Sequence, residues 1–178
     1  AEETAALAGV RDSLTGLANR RGLSMLGQQM VEVARRQGDA VHCVYVDIDQ
    51  LAHVNEVVGH DAGDEVVVAV ADALRAVTRS TDVVARWGGD EFCVIGPGAG
   101  MAPMELERRI RERVMQNPPV PDVVWSPRVC AGGAPDKVAA IRSLLPDAVY
   151  APPEGVAEAL RTAMASPPKY IGWRTSAN

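Results

Sequence analysis

Apolar residues in the first half of the chain recur alternately at helical and at strand-like spacing. A helix from Asn19, a residue type that often caps helices, to about Arg36 is predicted by the apolar positions Leu23, Leu26, Met30 and Val33. A strand is predicted over residues 42–46, a short helix over 51–58, and a longer helix over 63–77 with an apolar face of Val66, Val67, Val70, Ala73, Leu74 and Val77. Two further strands, over 83–87 and 92–95, flank Gly88 and Gly89.

The second half of the chain has shorter predicted elements, because ten prolines interrupt residues 118–168. The segment 103–115 predicts an exposed helix, with charges from Glu105 to Arg113 on a solvated face. Further strands are predicted over residues 123–125 and 128–131, and further helices over 137–145 and 155–164. This order predicts one mixed α/β domain, which a chain of 178 residues is long enough to form.

Composition and charge narrow the possible functions. Hydrophobic residues make up 47% of the chain but aromatic residues only 4%, so Val, Ala and Leu must fill the core. The net charge of -5 argues against nonspecific nucleic-acid binding, which needs clustered Lys and Arg. No apolar run approaches the roughly 18 residues of a membrane-spanning helix, and no signal-peptide pattern opens the chain.

Cysteine usage and the first residue indicate the setting of the protein. Cys43, Cys93 and Cys130 lie in strand-like apolar runs without C-x-x-C spacing. We therefore expect buried free thiols in a reducing cytoplasm rather than a metal site or a disulfide framework. Because the chain begins at Ala1 without Met, we also expect an excised domain whose sensory, regulatory or membrane-attached portion is missing.

The segment Arg86–Phe92, R-W-G-G-D-E-F, places two acids beside a paired-glycine turn between two predicted strands. Glycines at such a tip let a ligand approach the backbone closely, and carboxylates suit a divalent cation with a phosphate ligand. If the strand that ends at Asp47 lies beside the hairpin strands in the sheet, the carboxylates of Asp47 and Asp90 converge near one sheet edge. Cations between them could position a triphosphate and activate an attacking hydroxyl. The alternatives are a solvated hairpin and a strand-end acid.

Four motifs follow one another along the chain: D-S-L-T-G-L-A-N-R-R at residues 12–21, D-I-D at 47–49 with Asn55 after it, G-H-D-A-G-D at 59–64, and G-G-D-E-F at 88–92. In this order they resemble the GGDEF family of diguanylate cyclases over residues 8–97. The resemblance implies an α/β (α+β) fold, with a central, mainly antiparallel sheet flanked by helices, similar to nucleotide cyclase and polymerase palm domains. It implies a lead-in at residues 1–10 and a GGDEF domain at 11–178, divergent from about residue 100.

The resemblance also assigns catalytic and metal-binding roles. It implies that Asp47, Asp90 and the Ile48 carbonyl bind Mg²⁺ or Mn²⁺. Asp90 would also accept a proton from the attacking hydroxyl, and Glu91 would be a neighbouring acid that supports it. These four residues form the predicted catalytic centre.

Substrate binding is implied for a second group of residues. Asn55 and Asp64 would recognise guanine, since an acid accepts hydrogen bonds from N1 and the amino group, and an amide contacts the O6 and N3 edges. Their alternatives are a helix-surface amide and a first-turn helix acid. Backbone contacts to GTP are expected at Leu51, Ala52, Gly88 and Gly89. The family usually has aromatic residues and Lys where this chain has Q-L-A at 50–52, so the basic side chain is lost.

A second ligand site is implied by Arg79-Ser80-Thr81-Asp82, which resembles the R-x-x-D inhibitory site that binds cyclic di-GMP. Arg79 can grip a phosphate, and Asp82 can accept from a guanine edge. The alternative is a surface turn with an ordinary Arg–Asp pairing.

The C-terminal part of the family pattern is altered. Residues 159–164, A-L-R-T-A-M, resemble a family helix that carries a phosphate-binding Lys, but Met164 stands in the Lys position. Lys169 or Arg174 could substitute in a shifted register. Because Arg–phosphate contacts are strong and directional, their loss would weaken substrate binding.

Two functions follow from these expectations. The first is a diguanylate cyclase that condenses two GTP into cyclic di-GMP and pyrophosphate as a homodimer, with feedback by its product. The second is a catalytically weak receptor for GTP or cyclic di-GMP that acts on a missing domain. A purely structural dimerisation domain would leave the set of acids unexplained.

Overall fold

The computed structural model describes residues 9–98, 100–122, 126–129, 148–150 and 170–172. The predicted helices over 137–145 and 155–164, the predicted strand over 123–125, and Cys130 lie outside these residues. Within the described segments, no helix combines the length and the apolar character needed to span a bilayer.

The described elements alternate between helices and strands, as the residue spacing predicts for most of them. In chain order they are α1 (Arg20–Gln37), β1 (Val41–Asp49), α2 (Leu51–Val57), α3 (His60–Val77), β2 (Val83–Arg86), β3 (Glu91–Pro97), α4 (Pro103–Met115), β4 (Ser126–Val129), β5 (Ala148–Tyr150) and β6 (Tyr170–Gly172). The short strands β5 and β6 are not predicted from the sequence, because three-residue strands carry too little periodicity to be recognised.

Strand β1 is the centre of a six-stranded sheet with the order β2-β3-β1-β6-β5. Along one edge β1 pairs antiparallel with β3, and β2 pairs antiparallel with β3 in turn. The other edge of β1 pairs antiparallel with β4 over residues 46–49 and parallel with β6 over residues 41–43. Strand β5 is parallel to β6. The expectation of a mainly antiparallel sheet flanked by helices is confirmed.

Helices cover both faces of this sheet, and successive residues of β1 therefore enter two different hydrophobic clusters. Val44, Val46 and Ile48 pack with residues of α3 and α4 on one face. Cys43 and Tyr45 pack with residues of α1 on the other face. This alternation follows from the two-residue period of a strand. It explains why β1 is a continuous apolar run, since both of its faces are buried.

The predicted apolar face of α1 is partly wrong. Leu23 is buried, but Leu26 and Val33 are 44% and 46% exposed. The face that contacts the sheet instead includes Gly22, Gly27 and Ala34. Gly22 also lets the chain before α1 approach the helix closely, since a Cβ on Gly22 would lie 2.3 Å from the Val10 carbonyl oxygen. The predicted cap is present, since the Asn19 side chain accepts the Gly22 N–H at 2.9 Å.

Two other expectations can be compared with the described residues. Helix α4 was expected to be an exposed helix, but Leu106, Ile110 and Val114 on its inner side are buried, because a four-residue period places them on one face. Only its outer side carries the expected charges. Cys43 and Cys93 are buried free thiols as predicted, with their sulfur atoms 3.2 Å apart. Burial raises the pKa of Cys93 to about 12.

Candidate active site

Acidic residues of two predicted motifs meet across the ladder between β1 and β3. Asp47 lies directly opposite Glu91 in the strand register, and the Ile48 N–H donates to the Asp90 carbonyl at 3.0 Å. Directly opposed residues of an antiparallel pair have Cβ atoms about 5 Å apart on the same face of the sheet. The three acids therefore lie in one region, and Glu91 rather than Asp90 is the register partner of Asp47.

This region has the ligand chemistry of a divalent cation site. Like charges at opposed sheet positions repel each other, and a cation that prefers oxygen ligands would offset this repulsion. The Ile48 side chain has no donor atom, so only the backbone carbonyl of this residue, which is 2% exposed, could be a ligand. Among the described residues, no group of three or more His, Cys, Asp or Glu side chains could hold a metal ion. A cation at these acids would therefore need further oxygen ligands, such as those of a bound phosphate.

The two glycines of the hairpin have steric rather than conformational roles. Neither Gly88 nor Gly89 has a positive φ. A Cβ on Gly88 would lie 2.8 Å from Oε2 of Glu91, whereas a Cβ on Gly89 would meet nothing within 4 Å. The N–H groups of Trp87 and Gly88 both donate to the Glu91 carbonyl, at 2.7 and 3.2 Å, and close the loop. The absence of a side chain at Gly88 therefore makes room for the Glu91 carboxylate, and the hairpin is open at Gly89.

The residues predicted to recognise guanine lie side by side. Asn55 belongs to α2, and Asp64 belongs to the first two turns of α3. A Cβ on Gly63 would lie only 1.9 Å from Oδ1 of Asn55, so the absence of a side chain at Gly63 lets the amide lie against α3. Asn55 is half-buried and Asp64 is exposed. Two motifs are thus joined into one candidate site, and the contribution of Gly63 was missed by sequence analysis.

The predicted phosphate contacts at Leu51 and Ala52 lie in the first turn of α2, whose N–H groups have no acceptor within the helix. Gln50 precedes them with φ of 67°, a left-handed conformation that is uncommon outside glycine. This sharp change of direction lets α2 begin directly after the last residue of β1. Leu51 and Ala52 therefore stay close to the acids of β1, in agreement with their predicted role.

The turn that contains Arg79 and Asp82 has a different arrangement. Arg79 is exposed, and its backbone N–H donates to Oδ2 of Asp82 at 2.9 Å. The Asp82 side chain is only 6% exposed, and its Oδ1 lies 3.9 Å from Nε2 of His42. No hydrogen-bond donor contacts this Oδ1 atom. The carboxylate predicted to contact a ligand is thus turned toward the interior.

His42, the neighbour of this carboxylate, was not singled out by sequence analysis. Its Nδ1 lies 3.2 Å from the Gly98 carbonyl, to which it can donate a hydrogen bond. Burial lowers the pKa of His42, and the nearby Arg79 charge acts in the same direction. The charge of Asp82 and the hydrogen bond to Gly98 raise it, but the net effect is a lowered pKa. The only sequence signal for the His42–Asp82 pair is the presence of a histidine in an otherwise apolar strand.

Sequence analysis also missed three charged residues around the hairpin. Arg86 contacts the Gly88 and Gly89 carbonyls and pairs with Asp12, and Arg20 donates to the Trp87 carbonyl. Their signal was their presence in the opening motif and directly before the paired glycines. The described residues do not include the C-terminal positions considered for phosphate binding, which are residues 159–164, Lys169 and Arg174.

Comparison with known proteins gives the class of this protein. Residues 9–123 match the family described as "Diguanylate cyclase, GGDEF domain". The chain is 39% identical over 110 residues to the response regulator PleD of Caulobacter vibrioides, covering 61% of this chain and 24% of PleD. It is 42% identical over 84 residues to the cyclic di-GMP phosphodiesterase NbdA of Pseudomonas aeruginosa, covering 47% of this chain and 11% of NbdA.

Solved structures show the same fold. The diguanylate cyclase SiaD of Pseudomonas aeruginosa, solved with its activator SiaC, has a TM-score of 0.60 and 25% identity, covering 97% of this chain and 64% of that chain. The coiled coil and GGDEF domain of DgcB from Caulobacter crescentus, solved with c-di-GMP, has a TM-score of 0.61 and 21% identity, covering 97% and 89%.

The family match covers more than half of the chain, so the chain belongs to the GGDEF family of diguanylate cyclase domains. It spans at most about a quarter of the length of the two curated relatives named above. The family membership is therefore a property of this domain, while the activity of the whole protein is a separate question.

Proposed function

We propose that this domain is a diguanylate cyclase, which joins two GTP molecules into cyclic di-GMP and releases pyrophosphate. The observation that carries the proposal is the meeting of Asp47, Asp90 and Glu91 across β1 and β3, in a chain of the GGDEF family. Its acids fit a divalent cation bound together with a triphosphate. When bound, Mg²⁺ or Mn²⁺ would supply charge stabilisation for the phosphoryl oxygens and the leaving group.

The proposed reaction balances without any further reactant. The 3'-oxygen of one GTP forms a bond to the α-phosphorus of the other, and the bond between that phosphorus and the β-phosphate oxygen breaks. Asp90 accepts the proton of the 3'-hydroxyl, and pyrophosphate leaves. In a second, equivalent step, the 3'-oxygen of the other GTP bonds to the α-phosphorus of the first, which closes the ring and releases a second pyrophosphate. Because each domain has one candidate GTP site, we propose that two copies face each other in a homodimer.

Substrate selection in this proposal depends on Asn55 and Asp64. Guanine offers the N1 and amino donors that the Asp64 carboxylate can accept, and the Asn55 amide can contact its acceptor edges. Adenine would leave these polar groups unpaired, which is costly for a half-buried amide. Leu51, Ala52 and Gly89 would hold the phosphates through their backbone N–H groups, and Gly88, whose N–H already donates to the Glu91 carbonyl, would let a phosphate approach the hairpin closely. The N–H groups at the start of α2 support this assignment.

The second candidate function is a receptor for cyclic di-GMP, and the altered phosphate-binding residues near Met164 favour it. In either function, we propose that Arg79 and Asp82 bind the cyclic dinucleotide, with Arg79 on a phosphate and Asp82 on a guanine edge. Since the Asp82 side chain is 6% exposed, binding would require it to turn outward. A cyclase would use this site for product feedback, and a receptor would use it to report the ligand.

Incubation with GTP and MgCl₂, followed by chromatography of the products, tests the enzyme. Cyclic di-GMP and pyrophosphate are expected, and both should be absent when EDTA removes the cation. Calorimetric titration with cyclic di-GMP tests the second site, with Arg79→Ala as the variant and the exposed Arg21→Ala as the control. Loss of binding in Arg79→Ala alone, in a protein that forms no product, would establish the receptor. GTP left unchanged together with no dinucleotide binding would contradict both functions.

A further inference from the structure

The backbone of the GGDEF hairpin is held by the side chain of Arg86. Its Nε lies 3.1 Å from the Gly88 carbonyl and 3.2 Å from the Gly89 carbonyl, and its Nη2 donates to the Gly89 carbonyl at 2.7 Å. Hydrogen bonds from a charged donor are stronger than those between neutral groups. The Arg86 side chain is 16% exposed, so water competes weakly for these donors. Arg86 therefore restrains the two residues that precede Asp90.

Arg86 is oriented in turn by Asp12, from the opening motif. Nη1 of Arg86 lies 3.3 Å from both carboxylate oxygens of Asp12. Asp12 is itself fixed, because its Oδ2 accepts the N–H of Thr15 at 2.8 Å and the Thr15 hydroxyl at 2.7 Å. Burial raises the pKa of Asp12, but the Thr15 hydrogen bonds and the charge of Arg86 outweigh it and lower the pKa overall. The pair is therefore ionised under ordinary conditions.

The N-terminal loop, residues 9–19, is attached to the same region by further bonds. The backbone N–H of Arg86 donates to the Ala18 carbonyl at 2.8 Å, and Arg20, the first residue of α1, donates from Nε to the Trp87 carbonyl at 2.7 Å. The guanidinium of Arg20 also lies 4.8 Å from the centre of the Trp87 ring. The Ala18 N–H also donates to the Val84 carbonyl at 3.3 Å, so the loop is bonded to the chain at several points between Val84 and Gly89.

We propose that the Asp12–Arg86 pair positions the hairpin for turnover, so that Arg86 is a positioning residue of the cyclase. The guanidinium donates hydrogen bonds to the backbone carbonyls of Gly88 and Gly89. None of its hydrogen bonds described above reaches the Asp90 or Glu91 carboxylates. The restraint on these acids therefore acts through the backbone of the two glycines that precede them. The proposal rests on the cyclase function proposed above.

A control for the loss of an arginine is present in α3. Arg75 also donates to a carbonyl of the N-terminal loop, that of Thr15, and also pairs with an acid, Asp72 at 2.9 Å. It has no described bond to the hairpin. Arg75→Met and Arg86→Met therefore remove the same chemical group from the same loop, but only Arg86→Met releases Gly88 and Gly89.

Steady-state kinetics with GTP and MgCl₂ separates positioning from stability. We expect Arg86→Met to lower kcat by about 10-fold or more with little change in KM, because misplaced catalytic groups affect the transition state more than binding. Arg86→Lys should recover only part of kcat, since one ammonium cannot bond to three acceptors in a fixed geometry. Asp12→Asn combined with Arg86→Met should be no worse than Arg86→Met alone. Equal kcat in Arg86→Met and Arg75→Met would overturn the proposal.

Amide hydrogen exchange gives a readout that does not depend on turnover. In Arg86→Met, the exchange rates of the Trp87 and Gly88 amides, which donate to the Glu91 carbonyl across the hairpin, should rise by about 10-fold relative to Arg75→Met, because the hairpin opens locally more often. If the wild type forms no product but this difference is present, the cyclase function fails and the hairpin restraint stands. If exchange is the same in both variants, Arg86 does not position the hairpin, whatever the activity.

Discussion

Strand β2 is only four residues long, and the two turns at its ends are both predicted ligand sites with opposite constructions. At the hairpin after β2, a guanidinium binds the backbone carbonyls from behind, and the acids lie beside β1. At the turn before β2, the acid makes its contacts within the protein. The Asp82 carboxylate accepts the Arg79 N–H and faces His42. The hairpin is therefore preorganised for a ligand, whereas the Arg79–Asp82 turn must rearrange before Asp82 can contact one.

The contrast has an energetic basis. A buried carboxylate oxygen without a donor is costly, and the only cation-forming group close to Oδ1 of Asp82 among the described contacts is His42 at 3.9 Å. At the hairpin, backbone carbonyls are satisfied by Arg86, which has enough donors for several acceptors. The Arg79–Asp82 turn thus carries the cost of a buried oxygen without a donor, whereas the hairpin carbonyls are paired. Four predictions test this comparison.

The largest effect is expected at the preorganised turn. Asp90→Asn keeps the shape of the side chain but removes the proton acceptor and an anionic ligand, so product formation from GTP should fall by about 100-fold or more. The thermal unfolding midpoint should change little, since Asp90 is not part of either hydrophobic cluster. Asp39→Asn, a change at an exposed acid after α1, is the control. Wild-type turnover in Asp90→Asn would remove the hairpin from the candidate site.

An alanine substitution next to each of the two turns, at Gly96 in β3 and at Gly89 in the hairpin, should change the stability of the protein to different extents. A Cβ on Gly96 would lie 2.0 Å from Oδ1 of Asp82 and 2.4 Å from Cε1 of His42, whereas a Cβ on Gly89 meets nothing within 4 Å. Overpacking at Gly96→Ala should lower the free energy of unfolding by about 1–3 kcal/mol. Gly89→Ala should be close to neutral. Urea denaturation measures both variants, and equal stabilities would show that the Asp82 pocket is not tightly packed.

The inward turn should also make stability depend on pH. Because the pKa of His42 is lowered in the folded protein, chiefly by burial, the unfolded chain binds the proton first as the pH falls. Stability is fully present above the unfolded pKa of about 6.5 and declines below it, by at most about 1.4 kcal/mol per pH unit for one proton. His42→Gln should remove this dependence.

Urea unfolding at pH 7.5, 6.5 and 5.5 measures this effect, with the exposed His53→Gln as a control. Among the described residues, the groups that act on the His42 charge include Asp82, Arg79 and the backbone of Pro97 and Gly98. A pH dependence that is identical in wild type and His42→Gln would show that the pair is not proton-linked.

The smallest effect is expected on the outer side of α4. Glu105 bonds to Arg108 at 2.8 Å and to Arg109 at 2.7 Å, and the hydrogen bonds from Arg108 and Arg109 lower its pKa to about 2. These contacts are exposed, so solvent and salt screen them. Glu105→Gln should shift the thermal unfolding midpoint only slightly, and the shift should vanish at high salt. A larger loss of stability in Glu105→Gln than in Gly96→Ala would contradict the expectation that the exposed ion pairs matter less than the packing around the buried Asp82 carboxylate.

Sequence analysis predicted the regular elements best where one long helix has one apolar face. In α3, Val66, Val67 and Leu74 are buried as the spacing predicts. In α1 the same reasoning failed, because Leu26 and Val33 are large but the contact with the sheet is made by small residues that spacing rules do not count. The strands β5 and β6 were missed because each is too short for a pattern.

The sequence by itself determined the family, the motifs and the order of helices and strands, because these depend on residues close together along the chain. Only the tertiary structure decided that Asp47 faces Glu91, that Arg86 reaches Asp12, and that Asp82 turns toward His42. The two residues of each contact are between 40 and 74 positions apart along the chain. They depend on strand register and on how helices cover the sheet, and a shift of one residue in register would turn each side chain to the opposite face.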